Sequence, residues 1–108
     1  RVLVIGDPHR QRGAMALYVS SGWDVVFGDH NFALHEVLSD IKIDAVIAEL
    51  DAGDPRIETI MYEANKAQPG ARRIVRGLGR GSCDLVHRYV DRDSGLDALV
   101  DAVTANIS

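Results

Sequence analysis

Arginines and glycines gathered toward the C-terminal end are the residues of this 108-residue sequence best suited to chemistry. Between Arg72 and Arg92 stand six arginines (Arg72, Arg73, Arg76, Arg80, Arg88, Arg92) against two acids, Asp84 and Asp91. Within that stretch, Gly77-Leu78-Gly79-Arg80-Gly81-Ser82 is rich in free amides, and such a loop can cradle a phosphate or a nucleotide. One expectation is therefore an anion site made of Arg76, Gly79, Arg80, Gly81 and Ser82. The other is structural: the glycines bridge two elements while the arginines pair with Asp7, Glu49, Asp51 and Asp54. Arg88-Tyr89-Val90-Asp91 matches the short RxxD pattern of cyclic-dinucleotide sites, but Tyr89 and Val90 read as strand.

Other chemistries are disfavoured. Gly6 lacks the rest of a GxGxxG fingerprint, and Asp7 stands where a pyrophosphate would approach, which argues against a dinucleotide enzyme. Asp7-Pro8-His9-Arg10 is not a hydroxyl-rich phosphate loop, which argues against a flavodoxin. His9, His30, His35 and His87 lack metal-ligand spacing and read as surface or satisfied polar residues. Cys83 is the one cysteine, so no intrachain disulfide can form, and a reducing, cytoplasmic setting is expected. A catalytic thiol would need an activating neighbour, which nothing in the sequence places.

The elements that must position these residues follow from periodicity. Five short apolar runs, Val2 to Ile5, Asp24 to Phe27, Ala45 to Leu50, Arg73 to Arg76 and Arg88 to Val90, alternate with stretches of helical period. That alternation predicts a parallel sheet with helices on both faces. Ala14, Leu17 and Tyr18 share one helical face that Gly22 can end in a left-handed turn, and Leu34, Val37, Leu38 and Ile41 repeat the pattern. In the third helix Asp54 can cap and Pro55 suits the first position, with Ile57, Ile60, Met61 and Ala64 inward and Gln68-Pro69-Gly70 as the stop. The last helix starts at a capping-box spacing, Ser94 to Asp97, and buries Leu96, Leu99, Val100, Val103 and Ile107. Only eleven residues separate Arg76 from Arg88, several of them glycine, so the fourth helix is expected to be shortened or missing.

Residues 1–108 are expected to form a single domain able to bury one core. The missing initiator Met suggests a piece of a longer, multidomain protein. No apolar run approaches the roughly 20 residues that cross a bilayer, so no membrane insertion is expected. A net charge of −4 argues against direct nucleic-acid binding through bulk charge.

The whole chain resembles the receiver domains of bacterial response regulators, which share the CheY-like, flavodoxin-like fold. The resemblance is carried by Val2-Leu3-Val4-Ile5 before Gly6-Asp7, and by Gly22-Trp23-Asp24-Val25 where receivers have Gly-Tyr-Glu-Val. It continues through Ile43-Asp44-Ala45-Val46-Ile47-Ala48-Glu49 and Arg88-Tyr89-Val90-Asp91-Arg92. It implies a five-stranded parallel sheet, doubly wound as (βα)5. Receivers use two acids after the first strand, an aspartate after the third, a Thr or Ser after the fourth and a lysine after the fifth. Here those positions fall on Gly6, Asp7, Glu49, Gly77 and Arg92, so four of five differ.

The differences have physical consequences. Magnesium needs compact carboxylate-rich coordination, so the loss of one acid beside added arginines implies no bound metal. Glu49 is longer than aspartate by about 1.5 Å, and a displacement of about 1 Å can cost roughly 100-fold in rate. Gly77 offers no hydroxyl, and Arg92 presents a planar fork suited to pairing with Glu49. The resemblance thus implies a degenerate pseudo-receiver: no enzyme, no cofactor, acting in two-component-type signalling through other domains of its own protein or another signalling protein. A homodimer is permitted, though the face that receivers pair through loses its fourth helix. The alternatives are a sensor of an anion or cyclic dinucleotide at the arginine-rich rim, with Arg10 and Arg12 added, and a working phosphoacceptor of atypical site.

Overall fold

Runs of β-branched and small apolar residues become strands here because both faces of the sheet are covered, and such strands need no polar alternation. The computed structural model describes residues 1–28 and 40–104. In chain order these form β1 (Val2–Gly6), α1 (Pro8–Ser21), β2 (Val25–Gly28), β3 (Ala45–Glu49), α2 (Arg56–Ala67), β4 (Arg72–Gly77), β5 (Arg88–Asp91) and α3 (Leu96–Thr104). The expected stripe of Leu34, Val37 and Leu38 lies outside the described residues, as does Ile107. All pairings are parallel and the strand order is β2-β1-β3-β4-β5, the doubly wound arrangement expected.

Alternation along the strands divides the core in two. Leu3, Ile5, Val46, Ala48 and Val75 face α2, where Ile57, Ile60, Met61 and Ala64 meet them. Val4, Ala45, Ile47, Ile74 and Val90 face Ala14 and Tyr18 of α1 and Leu99 and Ala102 of α3. Local signals set several ends. Gly22 takes φ 75°, a left-handed conformation that glycine adopts without penalty, and ends α1. The Asp54 carboxylate accepts the Arg56 N–H at 2.9 Å and so caps α2, with Pro55 helical behind it. The Gln68 side chain closes the far end, accepting the Ile43 N–H at 2.7 Å and donating to the Ile41 carbonyl at 2.5 Å.

One local expectation differs. The Ser94–Asp97 capping box does not form: α3 starts at Leu96, and the Ser94 N–H closes a turn on the Asp91 carbonyl at 3.0 Å. The fourth helix, expected to be shortened or missing, is missing: no helix lies between Gly77 and Arg88. Leu85 and Val86 pack in its stead against the α2 side of the core. Arg73 fastens this segment from beneath. Only 7% exposed, it donates to the carbonyl of Leu85 at 2.6 Å and to those of Pro69 and Ala71 at 3.4 Å. His87 Nδ1 accepts the Arg73 N–H at 2.9 Å. The Tyr89 hydroxyl accepts the Cys83 N–H at 3.0 Å, and the loop passes so close that a Cβ on Gly81 would lie 2.5 Å from that ring.

Candidate functional site

The C-terminal ends of β1, β3, β4 and β5 converge where a doubly wound sheet binds ligands, and they carry Gly6, Asp7, Glu49, Arg76, Gly77 and Arg92. Gly6 is in register with Glu49, and Ala48 with Val75, so the next step along β4 sets Arg76 beside Glu49. Strand alternation then decides which side chains meet. Glu49 and Arg76 share the face of Ile47 and Ile74, toward α1 and α3, whereas Gly77 follows Val75 to the α2 face.

Glu49 is 1% exposed. One Arg76 nitrogen, Nη1, donates to its Oε1 at 3.0 Å and to its Oε2 at 2.9 Å. The Tyr18 hydroxyl, also buried, donates a short hydrogen bond to Oε1. Burial first, and then the Glu49 charge, push the Tyr18 hydroxyl far above the ordinary tyrosine range. Arg76 Nη2 reaches on to the Arg92 backbone carbonyl at 2.9 Å.

This corrects the expected ion pair between Glu49 and Arg92. Arg92 lies beyond the last register pair of β5, Gly77 with Asp91, and its guanidinium points into solvent at the mouth of the site. Among the described residues that guanidinium has no hydrogen bond or ion pair. Arg76 stands one strand nearer and on the correct face, so it takes the carboxylate.

The remaining acids are claimed in the same way. Asp7 receives Arg56 Nη1 at 2.9 Å, and Arg56 also grips Asp54 at 2.6 Å. These two carboxylates, Asp54 first, hold the Arg56 guanidinium more firmly protonated than usual. Asp51 accepts Arg10 at 3.1 Å and the Leu78 N–H at 2.9 Å. The Leu78 amide foremost, with Arg10 and Arg92, holds the Asp51 carboxyl below the usual range. Among the described residues no group of three or more His, Cys, Asp or Glu side chains could hold a metal ion.

Two glycines are locked in place. A Cβ on Gly6 would stand 2.8 Å from the Glu49 carbonyl oxygen, so an acid there would force β1 and β3 apart. A Cβ on Gly77 would stand 2.1 Å from the Leu50 carbonyl oxygen, closer than any real contact. The backbone itself therefore excludes a second carboxylate at the first position and a hydroxyl side chain at the second.

The five residues expected to form an anion site are not brought together. Arg76 faces α1, while Ser82 lines hollows beside Glu58, Cys83 and α2 on the opposite side, and Gly79 and Arg80 are exposed. A different concavity does form. A cleft of about 450 Å³ opens between the start of α1 and the β5–α3 turn, lined by His9, Arg10, Gly13, Ala14, Glu49, Arg76, Arg92 and Asp93. Sequence reasoning missed Tyr18 as a partner of Glu49, because a tyrosine on an apolar stripe signals core. Arg56 was missed too, although its position two residues past a capping aspartate was the available signal. So was Gln11, which is 9% exposed and donates to the Gly28 carbonyl at 2.5 Å.

No protein-family model matches the chain, and no curated protein matches it in sequence. Solved structures do. One is a response regulator protein from Burkholderia pseudomallei, crystallised with a phosphorylated aspartic acid, a calcium ion and citrate. It is 22% identical at a TM-score of 0.69, and the match covers 97% of this chain and 66% of that one. Another is a CheY-like response regulator receiver domain protein from Methanospirillum hungatei, 15% identical at a TM-score of 0.69, with 95% of this chain and 89% of that one covered. The chain thus spans less than two thirds of the first of these proteins. Strand order, register and both matches agree that this chain has the CheY-like receiver fold.

Proposed function

We propose that this domain is a degenerate receiver: a regulatory module that is not phosphorylated by the aspartyl mechanism and acts by contacting another domain or protein. The observation that carries the reading is the confinement of Glu49. A phosphoacceptor needs a carboxylate oxygen open to attack on an incoming phosphoryl group. Both oxygens of Glu49 are buried and already accept from Arg76, and Tyr18 holds one of them a second time. Asp7, which would help a metal, is bound to Arg56 instead. The contact role draws support from exposed apolar side chains, Met15 and Val19 on α1 and Tyr62 on α2. No described helix is long and apolar enough to cross a membrane. The reading includes no enzymatic activity of its own and a cytoplasmic place, which suits the unpaired Cys83.

The experiment is to incubate the protein with magnesium and acetyl phosphate, or with beryllofluoride, and to record intact mass and amide spectra. No mass gain and no shifts centred on Glu49 are expected. A phosphoryl adduct, or magnesium-dependent shifts focused on Glu49 and Asp7, would mean that the domain is a working phosphoacceptor of unusual site. A second reading, the sensing of an anionic small molecule, draws its support from the arginines of the cleft.

A further inference from the structure

We infer that this protein binds a second copy of itself head to tail: the outer face of α1 in one copy seats in a trough beside α2 in the next. The trough exists because the crossover from β4 to β5 lacks its helix. Leu85 and Val86 pack against the core there, but a non-helical segment fills less space than a helix. A hollow of about 480 Å³ stays open between Asp84 and Leu85 on one side and Glu58, Thr59 and Tyr62 of α2 on the other. A second hollow, of about 300 Å³, adjoins it at Glu58 and Cys83 and reaches back to Pro55. From Pro55 to Tyr62 the two run along about 10 Å of α2, roughly two helical turns. Tyr62, 57% exposed, stands in this trough without cover.

A ridge of matching length lies on the same molecule. On α1, Arg12, Met15 and Val19 are three and four residues apart and share an exposed face, with Val19 72% exposed. That is the anchor spacing with which a helix enters a groove, and it too spans about 10 Å. Charge agrees with shape. Glu58 and Asp84 line the trough and no lysine or arginine does, whereas α1 carries arginines and no acid. Among the described residues Glu58, Asp84 and Arg12 make no ion pair, so bringing Arg12 to the two carboxylates breaks none.

Topology decides the form of the assembly. α1 packs on the sheet face of Val4 and Ile47, and α2 on the opposite face with Leu3 and Ile5. A copy therefore cannot fill its own trough, and two copies cannot seat both ridges in both troughs at once. The contact is heterologous and propagates into a chain or closes as a ring of several copies. Two turns of helix make a small interface, below the roughly 1,200 Å² of stable complexes, so the association is weak and grows with concentration. The inference gives the contact role proposed above a partner, and it rests on that part of the reading alone.

The test is analytical sedimentation with an amide-shift dilution series, carried up to millimolar protein. The average mass should rise past that of a dimer, with shifts clustered on Met15, Val19, Tyr62 and Leu85. Val19→Asp on the ridge and Tyr62→Lys in the trough should each weaken association about tenfold or more. Both side chains are exposed, so neither change unfolds the domain. Mixed together, the two variants hold one native ridge and one native trough between them, and they should form a 1:1 pair that grows no further. A native protein that stays monomeric or stops at a dimer would overturn the inference. So would association that survives both substitutions, or a mixture of the variants that does not pair. Intact mass after acetyl phosphate answers the separate question: a phosphoryl adduct defeats the proposed function and leaves this contact standing, whereas a monomeric protein defeats the contact alone.

Discussion

Glu49 and Arg76 form the kind of buried pair that is costly to break from one side. Removing one partner of such a pair leaves the other charge uncompensated in a dry setting, at about 3–5 kcal/mol. Glu49→Ala should therefore lower the unfolding free energy by about that amount in urea titrations, because Tyr18 and Arg76 both lose their acceptor. Arg92→Ala, which removes an exposed side chain, should change it by under about 0.5 kcal/mol. The reverse order would mean that Glu49 is held by Arg92 after all. The identities of the pocket residues were legible from the chain, but their partners were not. Three arginines near the strand ends could each reach an acid, and residue type does not rank them; strand register and side-chain alternation do.

At the scale of elements, the end of β4 leaves no room for a side chain at Gly77. Gly77 passes so close to β3 that a Cβ would collide with the Leu50 carbonyl and the Asp51 Cα, at 2.1 and 2.8 Å. Gly77→Ser, the change that would supply a hydroxyl, should destabilise the domain by about 1–3 kcal/mol or more, as overpacking does. It should give no phosphorylation even when combined with Glu49→Asp. A Gly77→Ser variant of native stability would show that the strand ends have more room than the structure allows. The neighbouring connection was partly legible: glycine content and length announced the missing helix. That Leu85 and Val86 would cover the sheet in its place, anchored by a buried Arg73, was not, since an arginine in a strand pattern signals an exposed or edge position.

The whole molecule's stability should carry the mark of its buried titratable groups. Burial first, then the charges of Arg73 and Arg72, push the His87 imidazole below its usual 6.5. The unfolded chain therefore binds a proton before the folded one does, and stability should fall as pH drops below about 6.5. Tyr18 works in the opposite sense. Its folded pKa lies above the usual 10.0, so the folded state keeps a proton that the unfolded state releases, and stability should fall as pH rises past about 10. Urea unfolding across this range should show a plateau between the two limits. His87→Gln should flatten the acid limb and Tyr18→Phe the alkaline one, and limbs unaltered by these changes would assign the dependence to other groups.

Periodicity in the chain determined the parallel sheet, because burial on both faces leaves a pattern that needs no distant partner to be seen; glycine, proline and connection length determined two of the helix stops and the missing fourth helix. Identity along the chain also gave the residues Gly6, Asp7, Glu49, Gly77 and Arg92 at the strand ends. Only the tertiary structure decided which cation meets which acid, and that Tyr18 and Arg56 belong to the site. It also placed Arg76 and Ser82 of the expected anion site on opposite sides of the sheet. The physical reason is the two-residue period of a strand: a shift of one position turns a side chain to the other face of the sheet. Residues adjacent in sequence, such as Arg76 and Gly77, thereby serve opposite sides of the molecule.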